Sequence, residues 1–416
     1  MQPTNTSSLI RWWVTPKLPI RHIFIDSKDR PNGIFQAIRV YFRKWVIHPI
    51  RRWTAHYYVR FLQKFYGLVV IGLTGSAGKT STKEMIVAIL QRQGETVWTH
   101  ANEDPVFNIP TTIFRCKPAT RYLVLEMGVE FPGEMAFYLW LAQPSMGVIT
   151  NVHQTHTEFF GDREGVAKEK GVLVRSLGKS DAAILNKENR YTQRFAKSTK
   201  AKVTWFGKGG DIQAKNIEIK DLKSQYTLMV DNKDIQINLP ILGEQFVSNS
   251  LAAAAVGWVS GASLNQIKQG LEEFKPAEHR MRPIKLRNGS LVLDDSYNSN
   301  PAAAKKALET FKEVAGKEKK IVVLGDMLEL GTDEVTQHKK LGKLVQNVGT
   351  DYLVGVGKLA KHAVGAANLP KGHSWWATDQ KEILPILKPL LKKNTVVLIK
   401  GSRSIELDKL VDQLAA

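Results

Sequence analysis

A glycine-rich stretch that ends in Lys-Thr is where the residue types and spacing of this chain first point to chemistry. It reads Gly72-Leu73-Thr74-Gly75-Ser76-Ala77-Gly78-Lys79-Thr80, between an apolar run at 68–71 and an amphipathic run. Between a strand and a helix, such a turn surrounds nucleotide phosphates with backbone N–H groups and one ammonium, and its threonine hydroxyl binds Mg²⁺. Leu73 stands where the strict Walker pattern has glycine, so this is a G-x-x-G-x-x-G-K-T variant. The stretch predicts a phosphate site, with a purely structural turn as the alternative.

Two polar residues follow predicted strands and are candidate metal ligands. Glu126 ends an apolar run, and His156 follows another. In an open α/β sheet the carboxyl ends of the strands converge beside the phosphate loop. Glu126 and His156 are therefore candidate Mg²⁺ ligands, directly or through water, together with Thr80. Each is alternatively an ordinary polar residue at a strand end, and His153 and Glu158 are close enough in sequence to replace the predicted ligands.

Further charged residues allow two interpretations each. Lys168 and Lys170, in a predicted helix at 166–171, have the pattern of a solvated helix face. Asp295 ends an apolar run before a turn-rich loop, and Arg280 lies shortly upstream. Such a loop is often simple turn chemistry, but an aspartate and an arginine beside a nucleotide can hold a ribose hydroxyl and a phosphate.

The elements that must position these residues alternate between short apolar strands and helices from residue 67 onward. The predicted strands are 68–71, 96–98, 122–125, 148–151, 182–185, 291–293, 321–324, 352–356 and 396–399, with a β-rich stretch at 203–242 and a helix at 249–259. Strand–helix alternation predicts an α/β fold with a doubly wound parallel sheet that binds ligands at the C-terminal ends of its strands. With a boundary near 275–276, we expect an N-terminal segment (1–66), a central domain (67–275) and a smaller C-terminal domain (276–416).

The N-terminal segment is basic and aromatic. Residues 1–66 hold twelve Lys/Arg, two Asp/Glu and thirteen Trp, Tyr or Phe, a net charge of +10 out of +20 for the chain. The run 34–66 predicts two amphipathic helices that meet at a kink at Pro49. This composition suits peripheral contact with an anionic membrane, and equally a helical pair packed on the next domain. We expect no nucleic-acid partner, because no recognised module is present.

The composition of the 416 residues limits the class of protein to which the chain can belong. A hydrophobic content of 43% is ordinary for a globular protein, and no apolar run approaches the ~18 residues of a membrane span. The single cysteine, Cys116, excludes an internal disulfide and a cysteine-rich zinc site and fits a reducing cytosol. The first nine residues show no export signal. We expect a soluble cytoplasmic monomer.

Several motifs in a fixed order resemble the Mur ligase family. They are TGSAGKTSTKEM (74–85), LEMG (125–128), HTEFFG (156–161), VAKEKG (166–171), LDDSYNSNP (293–301), VLGDMLELG (323–331) with His338, and KGSR (400–403). The resemblance runs from about residue 67 to the C-terminus. It implies a central P-loop ATPase domain and a Rossmann-like C-terminal domain that close over ATP. Within the family, the chain is most similar to the ligases that add D-alanyl-D-alanine to a UDP-muramyl-peptide in peptidoglycan synthesis.

The resemblance also implies a reaction and its residues. A substrate carboxylate attacks the γ-phosphate to give an acyl phosphate and ADP, and an amine then displaces phosphate to form an amide. Lys79 and two Mg²⁺ ions would neutralise the transferred phosphoryl group. Thr80 and Glu126 match the ligands of the first Mg²⁺ and His156 that of the second. Lys170 matches a lysine that is carbamylated in relatives, which turns an ammonium into an anionic metal ligand. The residues implied to contact ATP are Thr74, Gly75, Ser76, Ala77, Gly78, Lys79, Thr80, Ser81, Asn249 on the adenine side, Arg280 on a phosphate and Asp295 on the ribose.

Two departures bear on the substrate. Relatives begin with a domain that binds the UDP-sugar end of the substrate, and the basic aromatic segment stands in its place. The asparagine that relatives place near the γ-phosphate is absent or moved to Asn108. We expect a small-molecule or nucleotide-sugar peptide substrate and an amino acid or dipeptide acceptor. The alternatives are a Mur-type ligase for another peptide-like substrate, and a non-catalytic nucleotide-binding protein recruited to a membrane.

Overall fold

The computed structural model describes residues 8–14, 17–19, 22, 33–100, 104–153 and 157–415. The chain forms two compact units, neither of them continuous in sequence. The first comprises residues 1–152, 164–212 and 252–270, and the second 153–163, 213–251 and 271–416. The three-region division with boundaries at 66/67 and 275/276 stays a prediction. Within the described residues, no helix has the length and apolar character needed to cross a bilayer.

In the described part of the chain, three α-helices precede the first strand, and from there strands and helices largely alternate through residue 206. The helices are α1 (Ser8–Val14), α2 (Ile34–Phe42), α3 (His48–Tyr66), α4 (Lys79–Leu90), α5 (Pro105–Ile113), α6 (Glu134–Leu141), α7 (Thr157–Phe160), α8 (Arg163–Arg175) and α9 (Arg190–Ala196). The strands are β1 (Val69–Thr74), β2 (Thr96–Trp98), β3 (Tyr122–Glu126), β4 (Met146–Ile149), β5 (Ala182–Asn186) and β6 (Lys202–Phe206).

The rest of the chain begins with β-structure and returns to alternation. Its strands are β7 (Ile212–Lys220), β8 (Lys223–Val230), β9 (Lys233–Leu239), β10 (Arg282–Lys285), β11 (Leu291–Asp295), β12 (Lys319–Gly325), β13 (Tyr352–Val356), β14 (Ser374–Ala377) and β15 (Thr395–Lys400). Its helices are α10 (Glu244–Val259), α11 (Leu264–Glu273), α12 (Pro301–Ala315), α13 (Glu334–Asn347), α14 (Ala360–Ala367), α15 (Ile383–Leu387) and α16 (Leu407–Ala415).

The first unit is built on a parallel sheet in the order β2-β3-β1-β4-β5-β6. The central strand β1 lies between β3 and β4, and its register pairs Leu73 with Glu126 and Thr74 with Ile149. The C-terminal ends of three neighbouring strands therefore meet at one edge, as predicted for a doubly wound sheet. The predicted α/β fold class is confirmed.

One boundary prediction was wrong at the site itself. Strand β1 runs on to Thr74 rather than ending at Ile71, so Gly72 and Leu73 belong to the strand and not to the turn. A Cβ at Gly72 would lie 2.8 Å from Pro144 Cγ. The glycine at 72 is therefore required by close packing of the strand, whereas the phosphate turn begins at Gly75. The strand predicted at 148–151 was also misplaced, because β4 ends at Ile149.

The second unit contains the antiparallel pair β8–β9 and a sheet in the order β10-β11-β15-β12-β13-β14. All neighbours in that sheet are parallel except β10 and β11. The predicted β-rich stretch at 203–242 is confirmed as β6 to β9, and the strand at 352–356 has the predicted bounds. The edge strands β10 and β14 were not predicted, because they are short and only partly buried.

The N-terminal helices differ from the predicted kink at Pro49. The chain stays helical from α2 to α3 through a π-helical turn, Arg43–Ile47, and Pro49 lies in the first turn of α3. Proline has no N–H to donate to the carbonyl four residues before it, which is that of Trp45. The Trp13 indole Nε1 donates to the Trp45 carbonyl at 2.6 Å instead. The helix therefore changes pitch at this point rather than breaking.

Candidate nucleotide and metal site

The turn between β1 and α4 has the backbone geometry of a phosphate-binding loop. Gly78 precedes the helix with φ 79° and ψ 0°, a left-handed conformation that favours glycine. The first N–H groups of α4 therefore face the turn, where a helix N-terminus attracts anions. The Lys79 ammonium folds back and donates to the Gly75 carbonyl at 3.2 Å. The loop and the lysine thus lie where the sequence predicted them.

Asn151 fixes the loop from the neighbouring strand, a role that sequence reasoning missed. Its carbonyl and its side-chain oxygen accept the backbone N–H groups of Ser76 at 3.0 Å and Ala77 at 2.9 Å. Its amide donates to the Ala77 carbonyl at 3.1 Å. The position of Asn151 just after β4 was the available signal. Asn151 thus satisfies the backbone N–H groups of both residues in this conformation.

Glu126 faces the start of α4 from the end of β3. The Thr80 hydroxyl donates to Glu126 Oε1 at 3.1 Å, and the Glu126 N–H donates to Thr99 Oγ1 at 2.9 Å. A hydroxyl and a carboxylate are hard oxygen ligands of the kind that Mg²⁺ prefers. Mg²⁺ in phosphate-transfer sites is held by one or two protein groups together with substrate phosphates and water. The pair of Thr80 and Glu126 fits that ion.

Lys83 is a second residue that sequence reasoning missed. It lies one turn after Lys79 on α4, and its side chain is fully buried. Its ammonium donates to the Thr99 carbonyl at 2.7 Å and lies 3.1 Å from Glu84 Oε1 and 3.7 Å from Glu126 Oε2. A buried cation must be paired, and here it offsets the charge of Glu126 and limits its rotation. The available sequence signal was a lysine one turn before the apolar residues Ile86 and Val87.

The two lysines of α8 have opposite environments. Lys168 is exposed, as expected of a solvated face, whereas Lys170 is 1% exposed, so the solvated-face interpretation is wrong for Lys170. Burial lowers the pKa of Lys170 well below its ordinary value, and the charge of Lys79 lowers it further; Glu169 and Glu134 act in the opposite direction. The amine is therefore neutral at a lower pH than a free lysine, as reaction with CO₂ requires.

The remaining predicted metal ligand is not described. His156 lies outside the described residues, so its assignment to a second Mg²⁺ stays a prediction. Among the residues that are described, no group of three or more His, Cys, Asp or Glu side chains could hold a metal ion.

Asn108 was the candidate for the displaced asparagine near the γ-phosphate. Its side chain is buried, donates to the His100 carbonyl at 2.8 Å and accepts from the Thr112 hydroxyl at 3.0 Å. Both ends of the amide are thus used in fixing α5. This favours a structural role for Asn108.

In the second unit, Asp295 forms an ion pair that the sequence did not reveal. Asp295 Oδ2 lies 2.6 Å from the ammonium of Lys400, and Oδ1 accepts the N–H of Met281 at 3.2 Å. The two charged residues are register partners at the ends of β11 and β15. Lys400 is 2% exposed, so the pair holds the Asp295 carboxylate in one orientation.

The other predicted contacts of this unit are partly explained by its packing. The Arg280 guanidinium lies 4.0 Å from the centroid of the Tyr297 ring, a cation–π contact that orients it. Asn249 is buried on α10. His338 is also buried: its Nε2 accepts the Met327 N–H and its Nδ1 donates to the Glu334 carbonyl, so it serves the fold. The predicted ATP contacts of Asn249, Arg280 and Asp295 stay predictions.

The chain is similar to known proteins in sequence and in structure. Residues 73–257 match the Mur ligase middle domain, and residues 279–403 match the Mur ligase, glutamate ligase domain. The chain is 34% identical over 351 residues to UDP-N-acetylmuramoyl-tripeptide--D-alanyl-D-alanine ligase of Escherichia coli (strain K12), covering 83% of this chain and 76% of the relative.

Two solved structures are similar to most of the chain. A crystal structure of MurF from Acinetobacter baumannii superposes with a TM-score of 0.81 at 29% identity, covering 88% of this chain and 80% of the other. A MurF ligase from Thermotoga maritima in complex with ADP gives a TM-score of 0.78 at 24% identity, covering 88% and 83%. At that lower identity the likeness shows the fold alone.

Proposed function

The chain belongs to the Mur ligase family, and we propose that it is an ATP-dependent amide-bond ligase that adds D-alanyl-D-alanine to a UDP-N-acetylmuramoyl-tripeptide. The name of the E. coli relative, which is 34% identical over most of this chain, describes this reaction. The observation that carries the proposal is the convergence of the phosphate loop, Glu126 and a buried Lys170 in one unit of a Mur ligase fold. A protein that only bound nucleotide would not need the buried lysine.

The reaction balances in two steps. In the first, a carboxylate oxygen of the tripeptide attacks the γ-phosphorus, and the bond to the ADP oxygen breaks. In the second, the amine of the dipeptide attacks the acyl carbon, inorganic phosphate leaves with its oxygen, and the amine loses a proton. The N–H groups at the start of α4 and the Lys79 ammonium hold the phosphates and offset the charge that develops on them.

We also assign ligands for two Mg²⁺ ions in this site. Thr80 and Glu126 would hold one ion, and His156 and a carbamylated Lys170 a second. When bound, Mg²⁺ neutralises the negative charge of the phosphoryl group during transfer. Lys83 supports this arrangement because its contacts with Thr99 and Glu126 fix the carboxylate.

We also propose nucleotide contacts for three residues of the second unit. Asn249 would face the adenine, Arg280 a phosphate and Asp295 the ribose. A carboxylate has about four acceptor positions, and the two contacts of Asp295 with Lys400 and Met281 leave room for a ribose hydroxyl. The ion pair with Lys400 also holds the Asp295 carboxylate in one orientation.

We further propose where the enzyme works. ATP and nucleotide-linked precursors are cytoplasmic, so the ligase belongs in the cytoplasm, as a monomer without a nucleic-acid partner. The +10 charge and thirteen aromatic residues of 1–66 favour contact with the inner face of the membrane.

A panel of acceptors tests the substrate assignment. The protein, ATP, Mg²⁺ and UDP-muramyl-tripeptide are incubated with D-Ala-D-Ala, L-Ala-L-Ala or D-Ala, and the products are read by mass spectrometry. We expect ADP release to require both organic substrates and the product mass to show addition of D-Ala-D-Ala only. A product formed with another acceptor or another carboxylate would favour the rival, a Mur-type ligase for a different peptide-like substrate. ATP hydrolysis without an acceptor, or none at all, would contradict both.

A further inference from the structure

Helix α2 exposes a continuous apolar face. Ile34, Phe35, Ile38, Tyr41 and Phe42 follow the spacing of one helix face, and all are exposed, Phe35 to 89% and Ile34 to 76%. None of the nine residues of α2 is buried. A soluble protein rarely exposes so many large apolar side chains together unless they bind something.

The charge around this face is of one sign. Residues 33–66 contain seven Arg and Lys and no Asp or Glu. Arg39 borders the apolar face in helical projection, Arg43 lies one turn further along the chain, and both are exposed. An apolar helix face bordered by arginines is the pattern of a helix that lies in a membrane interface, with its rings among the acyl chains and its cations at the lipid phosphates.

Helix α3 has a different role, although its composition is similar. One face of α3 is buried in the first unit, through Arg52, Ala55, His56, Val59 and Leu62 among others. The His56 ring stacks on Trp140 of α6 with 4.5 Å between centroids, and Trp53 meets the same ring edge-on at 4.9 Å. Helix α3 is thus part of the unit that holds the phosphate loop.

The junction between the two helices is also fixed. Trp13 of α1 donates a hydrogen bond to the Trp45 carbonyl in the π-helical turn, and Trp53 Nε1 of α3 donates to the Trp13 carbonyl at 3.1 Å. The exposed face of α2 is therefore presented from a packed support and does not need to fold when it binds.

We propose that the apolar face of α2 docks on an anionic phospholipid bilayer, with α3 as its rigid support. The proposal rests on the membrane contact already proposed for residues 1–66 and identifies the element that makes it. A second copy of the chain fits this face less well, because a symmetric pairing would place Arg39 and Arg43 against basic residues of the copy.

Vesicle sedimentation of the full chain tests the proposal. Vesicles of zwitterionic phospholipid are compared with vesicles that also contain an anionic phospholipid. We expect the wild-type protein to bind the anionic vesicles. Binding should be about fivefold weaker for each of Arg39→Gln and Arg43→Gln. It should be at least about tenfold weaker for Ile38→Glu, which removes apolar burial and adds a negative charge that the anionic lipids repel. Ile217→Glu on β7 is the matched control, because Ile217 is also exposed and the substitution is identical; it should bind like the wild type.

The outcomes separate this inference from the membrane contact in general. Wild-type protein that ignores anionic vesicles would overturn both. Binding that Ile38→Glu and Ile217→Glu weaken equally would overturn the role of α2 alone and indicate attraction by charge only. A dimer in sedimentation velocity that Ile38→Glu dissociates would assign the face to a second copy instead. Ligation in solution should be unchanged in Ile38→Glu, which shows that the variant is folded.

Discussion

Lys170→Ala is expected to lose ligation by about 10²–10³-fold, the scale of removing one group that stabilises transition-state charge, while ATP binding is kept. Lys170 is buried beside Lys79, where its carbamate would add an anionic metal ligand. In the proposed site the loop and α4 would supply most of the ATP contacts, and the substitution does not touch them. Turnover is measured by ADP release and binding by calorimetry. Lys168→Ala is the matched control, because Lys168 lies two residues earlier on the same helix and is exposed.

Carbamylation gives this prediction a second readout. Wild-type protein equilibrated with ¹³C-bicarbonate should show a carbamate signal by NMR that Lys170→Ala lacks and Lys168→Ala retains. The lowered pKa of Lys170 means that the reactive neutral amine persists to lower pH than in free lysine. Occupancy should nevertheless fall as the pH is lowered through that pKa, because the protonated amine does not react with CO₂. Unchanged turnover in Lys170→Ala would remove the residue from the site.

Glu126→Gln should raise the Mg²⁺ concentration needed for half-maximal activity by at least about 10–100-fold. A loss of metal affinity of that size is typical even when the substituted residue only hydrogen-bonds to a metal ligand. The amide keeps the size of the side chain and the contact with Thr80 but removes the charge. It also leaves Lys83 with one carboxylate fewer. We therefore expect a lower melting temperature without nucleotide as well. Mg²⁺-dependent ATP binding and thermal unfolding are measured separately.

Glu84→Gln distinguishes the metal role from the structural one. Glu84 lies closer to Lys83 than Glu126 does, at 3.1 Å against 3.7 Å, but the Thr80 hydroxyl donates to Glu126. Its substitution should lower the melting temperature and leave the Mg²⁺ dependence unchanged. If Glu84→Gln and Glu126→Gln shift the Mg²⁺ dependence alike, Glu126 acts only through the packing of α4.

The sequence was sufficient for those features that depend on local pattern. Alternating apolar runs predicted the parallel sheet, and the strand–turn–helix order predicted the phosphate loop. The end of β3 was predicted to place Glu126 beside that loop, because strand ends converge in such a fold. The structure shows this contact as the hydrogen bond between Thr80 and Glu126.

The features that were missed depend on which distant segments become neighbours. Asp295 and Lys400 are 105 residues apart and pair only because β11 and β15 are in register. Asn151 meets the loop because β4 lies beside β1. Gly72 has the residue type of a turn, but it lies within β1 and is packed closely against Pro144. Helices α2 and α3 could not be told apart because both are amphipathic and basic. Only packing shows that α3 buries one face, whereas no residue of α2 is buried.

A ligase that joins its substrates through an acyl phosphate must transfer one oxygen of the substrate carboxylate to the released phosphate. The tripeptide precursor is labelled with ¹⁸O in both oxygens of its reacting carboxylate and incubated with ATP, Mg²⁺ and D-Ala-D-Ala. We predict that the inorganic phosphate released carries one ¹⁸O atom per product formed, while the other ¹⁸O stays in the new amide. Phosphate without ¹⁸O, with its new oxygen drawn from water, would show hydrolysis uncoupled from ligation and would contradict the account.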